Sequence, residues 1–225
     1  QETGAVPAWS VIWLHGLGAD GNDFAPIVPE LVRRDWPAIR FVFPHAPVRP
    51  VTINNGVRMR AWYDIVGMDF PTRADAEGVE QSIAQVTALI EREQARGISP
   101  ERILLAGFSQ GGAVTLAAGL RREVPLAGLI ALSTYLPGAE KAARLLGSAA
   151  TGQPIFMAHG GSDPVIPLMY AERSAQLLES LGFAVQWQRY SMAHQVCAEE
   201  IRDLGDWMTQ RCAAAWYRAL HSLNW

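Results

Sequence analysis

Continuously apolar runs alternate along this chain with stretches of helical spacing, and this alternation limits the fold more than any other feature of the sequence. Runs of this kind are typical of strands that a parallel sheet buries on both faces. The last run alternates more between apolar and polar residues, so we expect it at an edge of the sheet. In chain order the runs are Trp9–His15, Ile39–Pro44, Arg102–Phe108, Leu126–Ser133, Pro154–Gly160 and Phe183–Tyr190.

Between the runs, apolar residues recur every three or four positions, as they do on the buried face of a helix. One such face includes Val79 and Ile90, and Gly97 supplies its stop. Two more lie within 168–178 and 197–212. Strands that alternate with helices predict an α/β fold, with a mostly parallel sheet and helices on both faces. We expect one domain over residues 1–225, of which about 213–225 form a C-terminal extension.

The overall composition argues against several classes of partner. A formal net charge of −3 over 225 residues provides no basic footprint for nucleic acid or for an anionic membrane. No apolar run approaches the ~18–20 residues of a membrane span, so we expect no stable membrane insertion. The cysteines lack the C-x-x-C spacing of a metal site. We therefore expect neither a metal nor a cofactor.

The two cysteines bear on the compartment. Cys197 and Cys212 are 15 positions apart in one helical segment, which corresponds to ~22 Å of helix. A disulfide needs Cα atoms within ~7 Å, so the two cannot pair, and inert packing is their expected role. This favours a reducing compartment and a cytoplasmic location. The sequence begins at Gln1 rather than at Met, so the removal of a signal peptide stays an alternative.

The segment LLAGFSQGG, residues 104–112, joins a strand pattern to the start of a helix pattern. It contains G-x-S-x-G as Gly107, Ser109 and Gly111. Chemistry at such a serine requires a tight strand-to-helix turn that exposes the hydroxyl above the sheet edge, with glycines where backbones approach closely. A serine that only caps the helix would produce the same letters. The motif alone therefore leaves a nucleophile and a cap as alternatives.

A serine nucleophile needs a base, and in this kind of fold the expected order is serine, acid, histidine. Asp163 is the only aspartate between Ser109 and His194, and it directly follows a strand run. His194 follows the last run, whereas His221 lies in the tail and His159 precedes the acid. A turn aspartate and a solvated loop histidine are the alternatives. Because three strand ends deliver the residues in the right order, we predict that Ser109, Asp163 and His194 are catalytic.

Two backbone N–H groups must also stabilise the oxyanion of an acyl-transfer reaction. The first is expected from Gln110, directly after the serine. The second is expected from Leu17, in the glycine-rich segment His15–Phe24 that follows the first strand. His15 precedes the acid in the chain, so we expect a structural role for it.

Segments along most of the chain match a known family. Between Val11 and Met208, the chain resembles the bacterial carboxylesterases and acyl-protein thioesterases of the phospholipase/carboxylesterase group, in the α/β-hydrolase superfamily. The resemblance implies the same catalytic and oxyanion residues, and an α/β-hydrolase fold. The segments are VIWLHGLGADGNDF, FPHAPVRPVTINNGVRMRAWYDI, SPERILLAGFSQGGAV, LIALSTYLP, HGGSDPVIP and YSMAHQV with EEIRDLGDWM.

The sequence departs from the family pattern at two places. Members often have glycine before the catalytic histidine, where this chain has Ala193. Members also commonly end near 208–211, whereas this chain continues with Trp216, Leu220 and Leu223 at helical spacing. The continuation is interpreted as an extra helix packed on the body or as a homodimer contact, since family members are often dimers.

The predicted reaction is the hydrolysis of short- to medium-chain carboxylic esters through an acyl-enzyme, with a small-molecule ester or an acylated molecule as the substrate. A main activity as a lysophospholipase or acyl-protein thioesterase is the alternative, and a complete triad disfavours a non-catalytic binding scaffold. The strand spacing leaves no room for a large cap domain. The longest irregular stretch is His45–Thr72, and within it the loop His45–Phe70 is expected to overhang the site. The residues predicted to bind substrate, for which core packing is the alternative, are Trp62, Met68, Leu136 and Val165.

Overall fold

The computed structural model describes the backbone of residues 1–222 and the side chains of residues 1–213. Two groups of strands and several helices lie in this part of the chain. The strands are β1 (Trp9–Leu14), β2 (Ile39–Val42), β3 (Val48–Val51), β4 (Val57–Arg60), β5 (Ile103–Phe108), β6 (Gly128–Leu132), β7 (Ile155–Gly160) and β8 (Val185–Tyr190). The helices are α1 (Val28–Leu31), α2 (Ala76–Ala95), α3 (Gln110–Leu120), α4 (Ala142–Leu145), α5 (Leu168–Ser180) and α6 (Ala198–Ser222).

The central sheet of the described residues has the strand order β2-β1-β5-β6-β7-β8, and all of its pairings are parallel. Each strand begins within two residues of a predicted apolar run. The alternating run forms β8, which lies at an edge of the sheet. The predicted α/β fold with a parallel sheet is thus confirmed.

Helices cover both faces of the sheet because strand residues alternate between them. In β1, Ile12 and Leu14 face one core, which α2, α3 and α5 cover. Val11 and Trp13 face the opposite core, which α1 and α6 cover. The buried apolar faces predicted for α2, α5 and α6 lie in these two cores.

The chain order of the strands determines where a site can form. From β1 the chain moves outward to β2, and it returns on the other side of β1 as β5. Ligands of open α/β sheets bind outside the carboxyl ends of the strands, where the strand order reverses in this way. The loop after β1 and the turn after β5 meet at this position.

The stretch His45–Thr72 is more ordered than the sequence predicted. It contains the antiparallel hairpin β3–β4, whose turn places Asn55 at φ 55° and Gly56 at φ 74°. Asn-Gly is the dipeptide that tolerates two successive left-handed residues, and it commonly connects hairpin strands. That dipeptide was the signal from which the hairpin could have been predicted.

Within the described residues, Cys197 and Cys212 are both unpaired, as predicted. No helix in this part of the chain combines the length and the apolar character that a membrane crossing requires. The backbone of α6 continues to Ser222, so the residues predicted as an extra helix extend α6. The side chains of Trp216, Leu220 and His221, and all of Leu223, lie outside the described residues.

Two glycines permit a close approach between β1, β5 and α3. A Cβ atom at Gly107 would lie 2.3 Å from the backbone of Gly111, and a Cβ atom at Gly111 would lie 2.3 Å from the carbonyl oxygen of Leu14. Real Cβ contacts are never this short. The first turn of α3 can therefore lie directly against the end of β1 only because both positions lack a side chain.

We expect Gly111→Ala to destabilise the protein. Alanine favours a helix over glycine by about 1 kcal/mol, but the backbone clash should outweigh this gain, with a net cost of about 1–3 kcal/mol. The midpoint of urea unfolding measures the effect. Gly67→Ala is the matched control, because a Cβ atom there meets nothing within 4 Å, and its midpoint should stay near that of the wild type.

Candidate active site

Ser109 occupies the turn between β5 and α3 in a backbone conformation that is rare for a residue with a side chain, at φ 53° and ψ −117°. The surrounding backbone holds it there. Its N–H donates to Leu132 O at 2.9 Å. Its carbonyl accepts from Ala113 N at 3.0 Å and from Thr134 Oγ1 at 2.7 Å. The neighbouring strand β6 and helix α3 thus fix the orientation of the serine.

The structure brings the three predicted catalytic side chains into one hydrogen-bonded chain. His194 Nε2 lies 2.9 Å from Ser109 Oγ, and His194 Nδ1 lies 2.7 Å from Asp163 Oδ2. With Nδ1 protonated toward the carboxylate, Nε2 presents its lone pair to the serine hydroxyl. This is the arrangement in which a histidine can remove the serine proton while the carboxylate orients the ring.

Asp163 lies in the loop after β7, and its side chain is fully buried. A buried carboxylate needs several hydrogen-bond donors. Oδ1 accepts from the backbone N–H groups of Val165 at 2.8 Å and Ile166 at 2.9 Å, and Oδ2 faces His194. The loop therefore satisfies the buried carboxyl group and aims one of its oxygens at the histidine.

A second histidine, His159, also approaches this carboxylate. Its Nε2 donates to Ile166 O at 2.9 Å and lies 3.4 Å from Asp163 Oδ2. Burial lowers the pKa of His159, which favours the neutral ring. The sequence left His159 as a competing base, but among the described residues its ring contacts the Asp163 carboxylate and the Ile166 carbonyl, and no hydrogen bond joins it to Ser109.

The loop that carries His194 accommodates Ala193 at the position where family members often have glycine. Ala193 is exposed, and its carbonyl accepts from Gln195 N at 3.1 Å. His194 forms both of its hydrogen bonds beside this methyl group.

Two backbone N–H groups are available beside the serine. Leu17 and Gln110 both line the cavity that contains Ser109. Gln110 is the first residue of α3, where N–H groups have no partner inside the helix. Among the described residues, neither N–H donates a hydrogen bond to the protein. Both N–H groups are thus without a protein acceptor, as the donors of an oxyanion hole must be.

Histidines hold the loop that carries Leu17. His15 Nδ1 donates to Gly16 O at 2.7 Å, and its Nε2 accepts from Ala46 N at 3.0 Å. Burial lowers the pKa of His15, so the ring stays neutral and can make both contacts. His45 Nδ1 accepts from Gly21 N at 3.0 Å further along the same loop. His15 has the structural position that its place in the chain suggested.

A cavity of about 600 Å³ opens at Ser109 and His194, within the usual range for small-molecule sites. Two of the predicted substrate-binding residues, Met68 and Val165, lie on its wall and are 78% and 51% exposed. Much of the wall is apolar. Its other apolar side chains include Ile53, Ile65, Phe70, Phe108 and Ile166.

The other two predicted substrate-binding residues lie elsewhere. Trp62 is 1% exposed, and its Nε1 donates to His15 O at 2.9 Å. Leu136 is 2% exposed, and its N–H donates to Ser174 Oγ at 2.9 Å. Neither lines the described cavity wall. Both pack in the core next to residues that do, because burial of these large apolar side chains is more favourable than exposure in an open cleft.

Sequence reasoning missed the side chain of Gln110. Its Oε1 accepts from Trp62 N at 2.8 Å, and its Nε2 donates to Tyr63 O at 2.7 Å. This pair of bonds ties the long loop to the start of α3. No local pattern could have indicated it, because the partners are 47 and 48 positions apart.

The loop of His194 ends at α6, and the first turn of α6 buries an acid. Glu200 is 1% exposed. Burial raises its pKa to about 8, against the lowering effect of a backbone hydrogen bond from Cys197. Folding therefore favours the protonated carboxyl.

Known proteins are similar to this chain over most of its length. A family model described as phospholipase/carboxylesterase matches residues 2–211. Acyl-protein thioesterase 1 of Neurospora crassa is 39% identical over 211 residues, which cover 90% of this chain and 86% of that protein. Acyl-protein thioesterase 1 of Cryptococcus neoformans is 33% identical, with 89% and 91% covered. The crystal structure of Arabidopsis thaliana SOBER1 has a TM-score of 0.84 at 30% identity, and the match covers 90% and 98% of the two chains.

We expect Trp62→Phe to lower stability while leaving KM for acyl substrates near the wild-type value. The substitution leaves the carbonyl of His15 without its donor, at a cost of about 1–3 kcal/mol. Urea unfolding and ester kinetics measure the two effects. Met68→Ala is the comparison, because Met68 is an exposed wall residue: its midpoint should stay unchanged while KM rises. A Trp62→Phe variant of full stability with a raised KM would contradict the structural role.

We expect Glu200→Gln to alter the pH dependence of stability. In the folded protein the pKa of Glu200 lies above its ordinary value of 4.5. The stability that this raised pKa contributes is therefore fully present below pH 4.5, and it is lost as the pH rises through about 8. From about pH 5 to about pH 9, the wild type should lose a few kcal/mol relative to the variant, at about 1.4 kcal/mol per pKa unit. Urea midpoints at the two pH values measure this, with the exposed Glu199→Gln as the control. Parallel curves for the wild type and Glu200→Gln would contradict it.

Proposed function

Because the chain belongs to the phospholipase/carboxylesterase family and is a serine hydrolase that acts on ester bonds, we propose that its main substrates are acyl thioesters, including S-acylated proteins. The sequence favoured carboxylic esters, with a thioesterase as the alternative. Relatives described as acyl-protein thioesterases, at 33% and 39% identity, support the alternative.

One observation carries the proposal: the hydrogen-bonded chain from Asp163 through His194 to Ser109 ends in an apolar cavity. A hydroxyl becomes a useful nucleophile only beside an oriented base. An apolar wall next to it accommodates the hydrocarbon of an acyl group. Together these features support acyl transfer to serine rather than binding alone.

In the first half-reaction, Ser109 Oγ attacks the thioester carbonyl carbon as His194 Nε2 takes the hydroxyl proton. Asp163 keeps the proton of the ring on Nδ1 and stabilises the imidazolium that forms. The carbonyl oxygen becomes an oxyanion that the N–H groups of Leu17 and Gln110 bind. As the tetrahedral intermediate collapses, the carbon–sulfur bond breaks, the departing sulfur takes the proton from His194 and leaves as a thiol, and an acyl-serine remains.

In the second half-reaction, water takes the position of the thiol. His194 removes a proton from the water, whose oxygen attacks the acyl-serine carbonyl, and the same N–H groups bind the second oxyanion. Collapse breaks the bond to Ser109 Oγ, which recovers a proton from His194. The products are a carboxylic acid and the regenerated serine.

The chemistry of the leaving group suits a thioester. A thiol has a pKa of ~8.5, so a thiolate departs with less need for protonation than an alkoxide. An oxygen ester with a good leaving group passes through the same oxyanion, so it should be hydrolysed at the same site.

The location and assembly of the protein extend this proposal. The unpaired Cys197 and Cys212 are in keeping with an enzyme of the cytoplasm. In that compartment the enzyme would have access to S-acylated proteins. A homodimer stays a prediction from the family resemblance.

We expect Ser109→Ala to abolish labelling by a fluorophosphonate probe and to lower ester and thioester turnover by roughly 10⁴-fold or more. Active-site labelling on a gel and single-substrate kinetics measure the two effects. Ser180→Ala is the matched control, because Ser180 is an exposed serine at the end of α5, and it should keep both. Retained turnover in Ser109→Ala would overturn the assignment of the nucleophile.

The leaving-group preference is tested with one acyl chain on three leaving groups. An octanoyl thioester, the octanoyl oxygen ester of the matching alcohol and an octanoyl lysophospholipid are compared by kcat/KM. We expect the thioester to have the highest value. A higher value for the lysophospholipid or for the oxygen ester would overturn the thioesterase proposal while leaving the role of Ser109 intact.

A further inference from the structure

The wall of the catalytic cavity carries a guanidinium group that the proposed chemistry does not use. Arg73 lies between the hairpin β3–β4 and α2 in the chain, and it lines the cavity together with Ser109 and His194. The Lys, Arg, Asp and Glu side chains on the described wall are Arg73 and Asp23. Arg73 forms no ion pair with Asp23 or with any other acid in the described part of the chain.

Aromatic residues hold this guanidinium in a defined position. Arg73 Cζ lies 3.6 Å from the ring centroid of Phe70, and Arg73 Nε donates to the hydroxyl of Tyr135 at 3.0 Å. Phe70 in turn stacks on Tyr170, with ring centroids 4.3 Å apart. The stack occupies a face of the guanidinium and the tyrosine occupies one edge. The side chain is thus oriented before any ligand arrives.

The remaining edge of the guanidinium is free. Among the described residues, Nη1 and Nη2 of Arg73 form no hydrogen bond with the protein. These two nitrogens are the fork that binds carboxylate or phosphate oxygens in pairs. A stacked arginine keeps all of its N–H groups in the plane of the fork, so the stack on Phe70 does not compete with an anion.

The acids closest to Arg73 in the sequence are occupied elsewhere. Asp64 accepts from the N–H and hydroxyl of Thr52, and Asp69 accepts from Thr72 Oγ1. Asp75 accepts from the first N–H groups of α2. The positive charge of Arg73 therefore has no local carboxylate partner within the described residues.

Two buried tyrosines lie on the same wall as Arg73. Tyr63 and Tyr135 both line the cavity. Burial, followed by the interaction with Tyr135, raises the pKa of Tyr63 well above its ordinary value, so its hydroxyl keeps its proton. A neutral acyl chain would gain nothing from the guanidinium, since contact with apolar atoms would desolvate this cation without replacing its hydrogen bonds.

We propose that Arg73, positioned by Phe70 and Tyr135, forms a subsite for an anionic group, carboxylate or phosphate, that the substrate carries. The inference rests on the proposed function, because it assigns a charge to the substrate of that same site. The anion has two sources: the far end of the acyl chain, or the leaving group. Both present the same oxygen pair to the guanidinium, and matched substrates distinguish them.

The experiment compares three thioesters that differ by one charged group. Octanoyl-pantetheine is neutral at both ends. The suberic half-thioester of pantetheine adds a carboxylate to the acyl chain, and octanoyl-phosphopantetheine adds a phosphate to the thiol. We expect one of the charged compounds to have a kcat/KM about tenfold above that of the neutral one, as charge-assisted bonds to arginine would produce.

Three variants identify the group that is responsible. Arg73→Gln should bring the preferred charged compound to within about twofold of the neutral compound, mainly through KM, while kcat/KM for the neutral compound changes by less than about threefold. Tyr135→Phe removes the anchor of Nε and should lower the preference in part. Arg92→Gln removes an equal charge from an exposed position on α2 and should keep the preference in full.

The outcomes separate the subsite from the reaction. Hydrolysis of the neutral thioester that Ser109→Ala abolishes supports the proposed function, whatever the effect of charge. With that activity present, equal kcat/KM values for all three compounds in the wild type would overturn the subsite. An equal loss for all three compounds in Arg73→Gln would also overturn it and would show a structural arginine. No hydrolysis of any thioester would overturn both proposals.

Discussion

The close approach of α3 to the end of β1 is the constraint on which the rest of the site depends. Gly107 and Gly111 leave no Cβ atom between the backbones, so the first turn of α3 lies against the carbonyls of Leu14 and His15. The same contact sets Ser109, at the start of α3, beside the loop that carries Leu17. The serine and two unpartnered N–H groups thereby lie close together without any long side chain having to reach across the cleft. The geometry is built from backbone, which cannot change rotamer.

Most polar groups around this contact have hydrogen-bond partners within the protein, and a few donors do not. Asp163 uses two backbone donors and one histidine, and His15 uses both of its ring nitrogens on backbone groups. The donors that stay free among the described residues are the N–H groups of Leu17 and Gln110, and the fork of Arg73. Burial makes most other orientations of these polar groups costly, so the hydrogen bonds set their orientation without a substrate.

Short sequence patterns at strand ends predicted the sheet and the proximity of Ser109, Asp163 and His194. The N–H groups of Leu17 and Gln110 were predicted from the same kind of pattern. Contacts between distant segments could not be predicted this way. Trp62 and Leu136 are apolar residues near the site, and only the packing of the fold shows that they lie behind the cavity wall. Arg73 belongs to no motif, and its importance appears only when Phe70, Tyr135 and the occupied acids are seen together. The hairpin β3–β4 had a readable Asn-Gly turn, but a long loop was the simpler interpretation.

The two hydrogen bonds from the Gln110 side chain to Trp62 and Tyr63 divide the long loop into two parts. The two parts should differ in how many substitutions they tolerate. Up to Tyr63, the loop shares hydrogen bonds with the residue that also supplies a backbone N–H beside the serine, so a change there disturbs chemistry and wall together. Beyond it, Met68 is exposed, and Gly67 has room for a side chain. Mutations in that outer part can reshape the cavity while the reacting groups stay in place. New substrate ranges should therefore arise there first, in natural divergence and in directed evolution alike.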